Sequence, residues 1–127
     1  MTYRRRVILE SPYAGDVAAN VTYARACVRD SVLRGEAPIA SHLLFTQDGI
    51  LDDDKPEERK IGIEAGLAWL GSTDAMVVYT DRGISNGMKA AIAEAERLHV
   101  PIEYRRLGAV GEEPAPDSGY FGKPHPS

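Results

Sequence analysis

Several protein classes are excluded by what this 127-residue chain lacks. With Cys27 as its one cysteine, it can form neither an internal disulfide nor a cysteine-rich zinc site. Cys27 falls in a helical pattern with no nearby His or cation to lower its pKa, so a structural, half-buried thiol is expected. No run of about 18 apolar residues exists, so no membrane span is expected. The run Val7-Ile8-Leu9 after the first arginines is too short for a signal-peptide core, and a cytoplasmic protein is expected. A basic surplus is also missing. The formal net charge of −4 argues against broad nucleic-acid binding, and Arg4-Arg5-Arg6 reads as a solvated strand entry. No Walker-type Gly-Lys-Ser/Thr motif is present, and no Ser-His-Asp or Cys-His set follows from residue order. Asp52-Asp53-Asp54 lacks the alternating positions and terminal glutamate of a calcium loop, so it reads as a solvated acidic turn.

The remainder has the composition of one globular domain, 43% hydrophobic and 27% charged. Arg6 to Glu10 is a short apolar run bounded by Ser11-Pro12, which predicts a first strand. Val17, Val21, Ala24, Val28 and Val32 recur at helical spacing, with Asp16 as N-cap and Gly35 as the stop. Ala37 to Phe45 reads as a second strand, interrupted by His42. Pro56 followed by Glu57 and Glu58 suits a helix N-terminus. That helix is predicted to run to about Leu70 with Ile61, Ala65, Ala68 and Trp69 inward. Gly62 and Gly66 each cost such a helix roughly 1 kcal/mol against alanine, which implies close approach to a helix or to a ligand. Ala75 to Thr80 is the third strand. A helix with Ile84, Met88, Ile92, Ala95 and Leu98 on one face follows, then a fourth strand over Ile102 to Arg105. The order β-α-β-α-β-α-β predicts a mainly parallel sheet of four or five strands flanked by helices. The domain is expected to span 1–107. Residues 108–127 are expected to be a flexible or surface-packed tail that Tyr120 and Phe121 could dock.

In such a sheet ligands bind beyond the C-terminal strand ends. Three loops meet there: Ser11-Pro12-Tyr13-Ala14-Gly15-Asp16, the segment after Ile39 containing His42, and Asp81 to Gly87. Asp81, Ser85 and Asn86 are residue types that grip a sugar or phosphate, and backbone N–H groups at the helix starts favour anions. Glu64 is either a solvated neighbour of Lys60 or a site carboxylate. Arg59 either pairs with a ligand anion or makes an ordinary surface ion pair. His42 is either an acid/base near neutral pH or a hydrogen-bonded histidine at a strand end. The residue types point to a nucleoside- or nucleotide-like ligand.

Ile8-Leu-Glu-Ser-Pro-Tyr-Ala-Gly-Asp16, Asn20 and Ala24-Arg25-Ala26, with Ser72 to Tyr79 and Ser85-Asn-Gly-Met88, resemble the nucleoside 2-deoxyribosyltransferase-like proteins. The likeness is nearest to small phage and bacterial members with a Ser/Gly-Pro-Tyr start, and it covers roughly residues 6 to 105. It implies a Rossmann-like or flavodoxin-like three-layer sandwich, usually a homodimer or higher homo-oligomer, that acts without a cofactor on an N-glycosidic bond. It further implies that Tyr13 lines the sugar site, that Asp81 orients substrate, and that Gly87 and Met88 belong to the binding element. The family's nucleophilic glutamate is not found after Gly87-Met88, where Lys89-Ala90-Ala91 stand. A hydrolase- or transferase-type protein with Glu64 or Asp81 as acid/base is therefore the first expectation. Ser11, Pro12, Tyr13, Gly15, Asn20, His42, Arg59, Ser85, Asn86, Gly87 and Met88 would hold its substrate. The alternative is a non-catalytic protein that senses or sequesters a nucleotide-derived small molecule.

Overall fold

A computed structural model describes residues 3–107. Four strands, β1 (Arg6–Glu10), β2 (Ala37–Ile39), β3 (Ala75–Tyr79) and β4 (Ile102–Arg105), form one sheet in the order β2-β1-β3-β4. Every pairing is parallel; Ile8 stands opposite Ile39 on one side and Met76 on the other. The fold is the expected α/β, Rossmann-like arrangement. Its sheet is crossed on one face by α1 (Val17–Leu33) and on the other by α3 (Pro56–Leu67) and α4 (Asn86–Arg97). Strand alternation divides the core accordingly. Val7, Leu9, Val77 and Tyr79 pack with Tyr23 and Cys27 of α1. Ile8, Met76 and Val78 pack with Leu70, Met88, Ala91 and Ala95. β1 and β3 are the central strands, and their following loops diverge to opposite faces. The crevice of a doubly wound sheet opens at such a point.

Local chemistry fixes the helix starts. The Asp16 carboxylate accepts the Ala19 N–H at 3.2 Å, and the Ser85 hydroxyl accepts the Met88 N–H at 3.2 Å. Gly35, at φ +94°, turns the chain out of α1 in a conformation that glycine adopts freely.

The structure corrects three sequence expectations. The segment Ala37 to Phe45 is a strand only over Ala37–Ile39. It then turns into a one-turn helix, α2 (Ser41–Leu44), so His42 is helical. β2 is an edge strand carrying Pro38, whose missing N–H limits pairing. The inward face of α3 is also rotated from the expected one: Ile61 and Trp69 are 53% and 47% exposed, while Gly66 is buried. Glycine carries no hydropathy signal, so the apolar residues that remained in the pattern marked the outer side. On α1 the buried residues are Asn20, Tyr23, Ala24, Ala26, Cys27 and Ser31, and Val17 and Val32 are exposed. Polar Asn20 and Ser31 lie inward because each finds hydrogen bonds there. The expected tail, 108–127, lies outside the described residues. Among the described residues no helix is long and apolar enough to cross a membrane.

Candidate functional site

The glycine face of α3 leaves room between that helix, α4 and the end of β1, and a cavity of about 160 Å³ opens there. At about 10–15 Å³ per water that is room for on the order of ten waters, suited to a ring-sized group. Two close approaches and one bare position border it. Gly66 lies against α2, with Ser41 Cβ only 2.8 Å from where a side-chain carbon would sit. Gly62 faces Leu51, and Gly87 keeps the start of α4 bare on the same wall.

Glu10 is the carboxylate at the inner end. Side chains alternate along a strand, so Glu10 shares a face with Ile8 and points under α3 and α4. Its carboxyl has no hydrogen-bond or ion-pair partner among the described residues. Desolvation pushes its pKa up to about 8. Beside it, the Ser11 hydroxyl and His42 Nε2 are 2.7 Å apart, with Ser11 only 3% exposed. Burial draws His42 down to about 4, so at neutral pH the pair is an uncharged hydroxyl and an uncharged imidazole. Tyr13 and Ser85 line the upper wall, and Asp53, Glu58 and Arg59 the outer one. Glu58 is engaged, accepting the Asp52 N–H at 2.8 Å.

Of the residues the sequence marked, the cavity gathers Ser11, Tyr13, His42, Arg59, Ser85, Gly87 and Met88. Pro12, Gly15, Asn20 and Asn86 stand off its wall. Asn20 instead shapes it from behind: its amide donates at 3.0 Å to the carbonyls of both Tyr13 and Ala14, and its oxygen accepts Arg82 Nε at 2.8 Å. One buried amide thereby ties the loop after β1 to the loop after β3. Gly15, at φ +99°, allows the turn between Tyr13 and the Asp16 cap.

The two carboxylates expected as acid/base lie elsewhere. Glu64 is on the exposed side of α3, outside the cavity wall. Asp81 is on the α1 side of the sheet edge, where its carboxylate accepts the Tyr23 hydroxyl at 2.8 Å and the Leu107 N–H at 3.0 Å. Sequence reading missed Glu10, Asp53 and Glu58. For Glu10 the signal was available, because a strand ending at Ser11-Pro12 places residues 8 and 10 on one face at the ligand-binding end.

Across the sheet, a buried ion-pair network ties distant elements together. Arg105 donates to Glu36 at 2.8 Å, to Glu103 at 2.9 Å and to the Tyr79 hydroxyl at 3.1 Å. Burial alone would raise the Glu36 pKa, but Arg105 and the Ser31 hydroxyl outweigh it and hold the carboxyl below its ordinary value. Among the described residues no group of three or more His, Cys, Asp or Glu is arranged to hold a metal ion.

A doubly wound parallel sheet with a cavity at its switch point defines a Rossmann-like α/β protein with a candidate ligand site. The chain belongs to the family of the domain of unknown function DUF7768, matched over residues 5–105. No curated protein matches it.

Proposed function

We propose that the cavity takes a nucleoside- or nucleotide-like molecule and that the protein acts on its N-glycosidic bond, with Glu10 as proton donor. The observation that carries this reading is the unpartnered, desolvated Glu10 carboxyl opening into the cavity, still protonated near neutral pH. N-glycoside cleavage needs a proton on a nitrogen or oxygen of the departing base as the C1′–N bond breaks, and a general acid with a pKa near the working pH supplies it best. On the other side of the bond, water adds to C1′ and gives up its proton. Besides Glu10, Asp53 is the wall carboxylate without a hydrogen-bond partner among the described residues, and it takes that proton. The wall formed by α4 contributes Gly87, Met88 and Ala91 and no carboxylate, which favours direct hydrolysis over a glycosyl ester formed on that helix. The resemblance of Ser11-Pro12-Tyr13 and Ser85-Asn86-Gly87-Met88 to the deoxyribosyltransferase-like proteins supports the ligand class.

The test is incubation with ribo- and deoxynucleosides and their monophosphates, with free base detected by chromatography and mass. Wild type and Glu64→Gln release base, and Glu10→Gln does not. Equal release by Glu10→Gln removes the proposed acid. The absence of a carboxylate on the α4 wall also gives substance to the second reading, a binding protein that holds its ligand intact. No free base, with an unaltered nucleoside retained after desalting, establishes that reading instead. The proposed homo-oligomer has the exposed Ile61 and Trp69 of the α3 region as its support. Light scattering on Ile61→Asp tests it: an unchanged mass contradicts a contact through that face.

A further inference from the structure

Nearly every inward carboxylate among the described residues is answered by a neighbour. Asp30 accepts the Tyr79 hydroxyl, and Glu36 pairs with Arg105 and Ser31. Glu10 differs: it lines the cavity together with Ile8, Met88 and Ala91, and no described residue bonds its carboxyl, so both oxygens are left to a ligand. A half-buried carboxyl without a protein partner gives up the rest of its hydration when a ligand enters, so an occupant that satisfies both oxygens gains more than one that satisfies neither.

We propose that Glu10 reads the base, selecting a ring nitrogen that lies beside an exocyclic amino group: the N7/N6 edge of adenine or the N3/N4 edge of cytosine. This rests on the reading that the cavity holds a nucleoside-like ligand. A protonated carboxyl presents one donor and one acceptor side by side. Its O–H donates to the ring nitrogen while its carbonyl oxygen accepts the amino N–H. A 6-oxopurine offers two acceptors at N7 and O6, so the Glu10 carbonyl oxygen would face O6 with no proton between them. A two-donor cation would require the carboxylate, which this apolar setting disfavours. The lactam edges of uracil and of a 6-oxopurine (N1–H beside O6) also pair a donor with an acceptor, but there the acceptor is a carbonyl oxygen and the ring nitrogen already carries its proton. The amidine edge places the Glu10 proton on the ring nitrogen, so one contact both identifies the base and prepares its departure. The other titratable groups lining the cavity are His42 from α2, Tyr13 from the loop after β1, Asp53 from the acidic loop, and Glu58 and Arg59 from α3. None of them is bonded to Glu10.

The experiment is calorimetric titration of wild type, Glu10→Gln and Glu10→Ala with adenosine, inosine and cytidine from pH 6 to 9.5. Wild type binds adenosine about tenfold or more tighter than inosine. Its affinity is flat below about pH 8 and falls with pH above it, as the proton is lost. Glutamine also presents a donor beside an acceptor, so Glu10→Gln keeps the preference for adenosine and loses the pH dependence near 8. Glu10→Ala loses the preference. Binding by wild type with no preference, or a preference that survives in Glu10→Ala, overturns the base-reading role and leaves the nucleoside reading standing. Failure of wild type to bind any nucleoside removes both.

Discussion

Replacing Gly66 by alanine adds one methyl group where α3 crosses α2, and Gly62→Ala adds the same group one turn earlier. In both variants the helix gains about 1 kcal/mol from the loss of backbone freedom in the unfolded chain. The surroundings differ. At position 66 the new carbon would lie 2.8 Å from Ser41 Cβ and against Ser41 Oγ. Rotating the serine hydroxyl relieves the second contact but not the first, so α2 must move. At position 62 the nearest atom is Leu51 Cδ1 at 3.2 Å, the far end of a flexible side chain. Overpacking of the first kind costs about 1–3 kcal/mol, and the helix gain cancels between the two variants. Gly66→Ala should therefore be less stable than Gly62→Ala by about 1–3 kcal/mol, with Gly62→Ala equal to wild type or slightly above it. Urea unfolding at 25 °C measures this directly. Because Ser41 precedes His42, the displacement also disturbs the Ser11–His42 hydrogen bond and weakens ligand binding. Equal stability of the two alanine variants would refute the close approach, and with it the account of what opens the cavity.

Two further outcomes follow from buried charge. Arg105→Ala leaves buried Glu36 with only the part-exposed Arg5 guanidinium, at 3.7 Å, and should cost up to about 3–5 kcal/mol by denaturant unfolding; a loss below 1 kcal/mol contradicts the buried pair. Glu36 is held below its ordinary carboxylate value, so its contribution is present above about pH 4.5 and fades as pH falls through the lowered value. Glu10 has the opposite sign. Its native pKa of about 8 exceeds the ordinary 4.5, so the native state holds the extra proton across that window and stability falls as pH rises through it. Glu10→Gln removes that slope. Its advantage over wild type should grow from pH 4.5 to 8 and level off at roughly 2–4 kcal/mol, with cavity solvent taken into account. Parallel stability curves for the two proteins would show that Glu10 is solvated.

Elements that announce themselves locally were legible in the sequence. Asp16 and Gly35 bracket the first long helix, and Ser85 caps the last. Val7 to Leu9 and Ala75 to Tyr79 read as buried strands because both are short, apolar and rich in β-branched residues. Strand–helix alternation then pointed to the parallel sheet and to the C-terminal strand ends, which is why Ser11, Tyr13, His42 and Ser85, all of which line the cavity, were marked. The long-range partnerships were not legible. Arg105 and Glu36 are separated by 69 positions, and nothing local to either residue marks the pair. The same holds for Asp81, whose carboxylate is taken by Tyr23, 58 positions away. The orientation of α3 failed for a different reason: its contact face is written in glycine, so hydropathy pointed to Ile61 and Trp69 on the opposite side. Glu10 was passed over because its charge served only to end a strand, although strand alternation places it on the cavity side.

The central claim is that a protonated Glu10 at the end of β1 serves a nucleoside-like ligand in the cavity. The most direct measurement is base release from a nucleoside and nucleotide panel by wild type, Glu10→Gln and Glu64→Gln, with the melting temperature of each protein as the check on folding. The account predicts release by wild type and Glu64→Gln and none by a folded Glu10→Gln. Release that Glu10→Gln retains, or that Glu64→Gln alone abolishes, contradicts it.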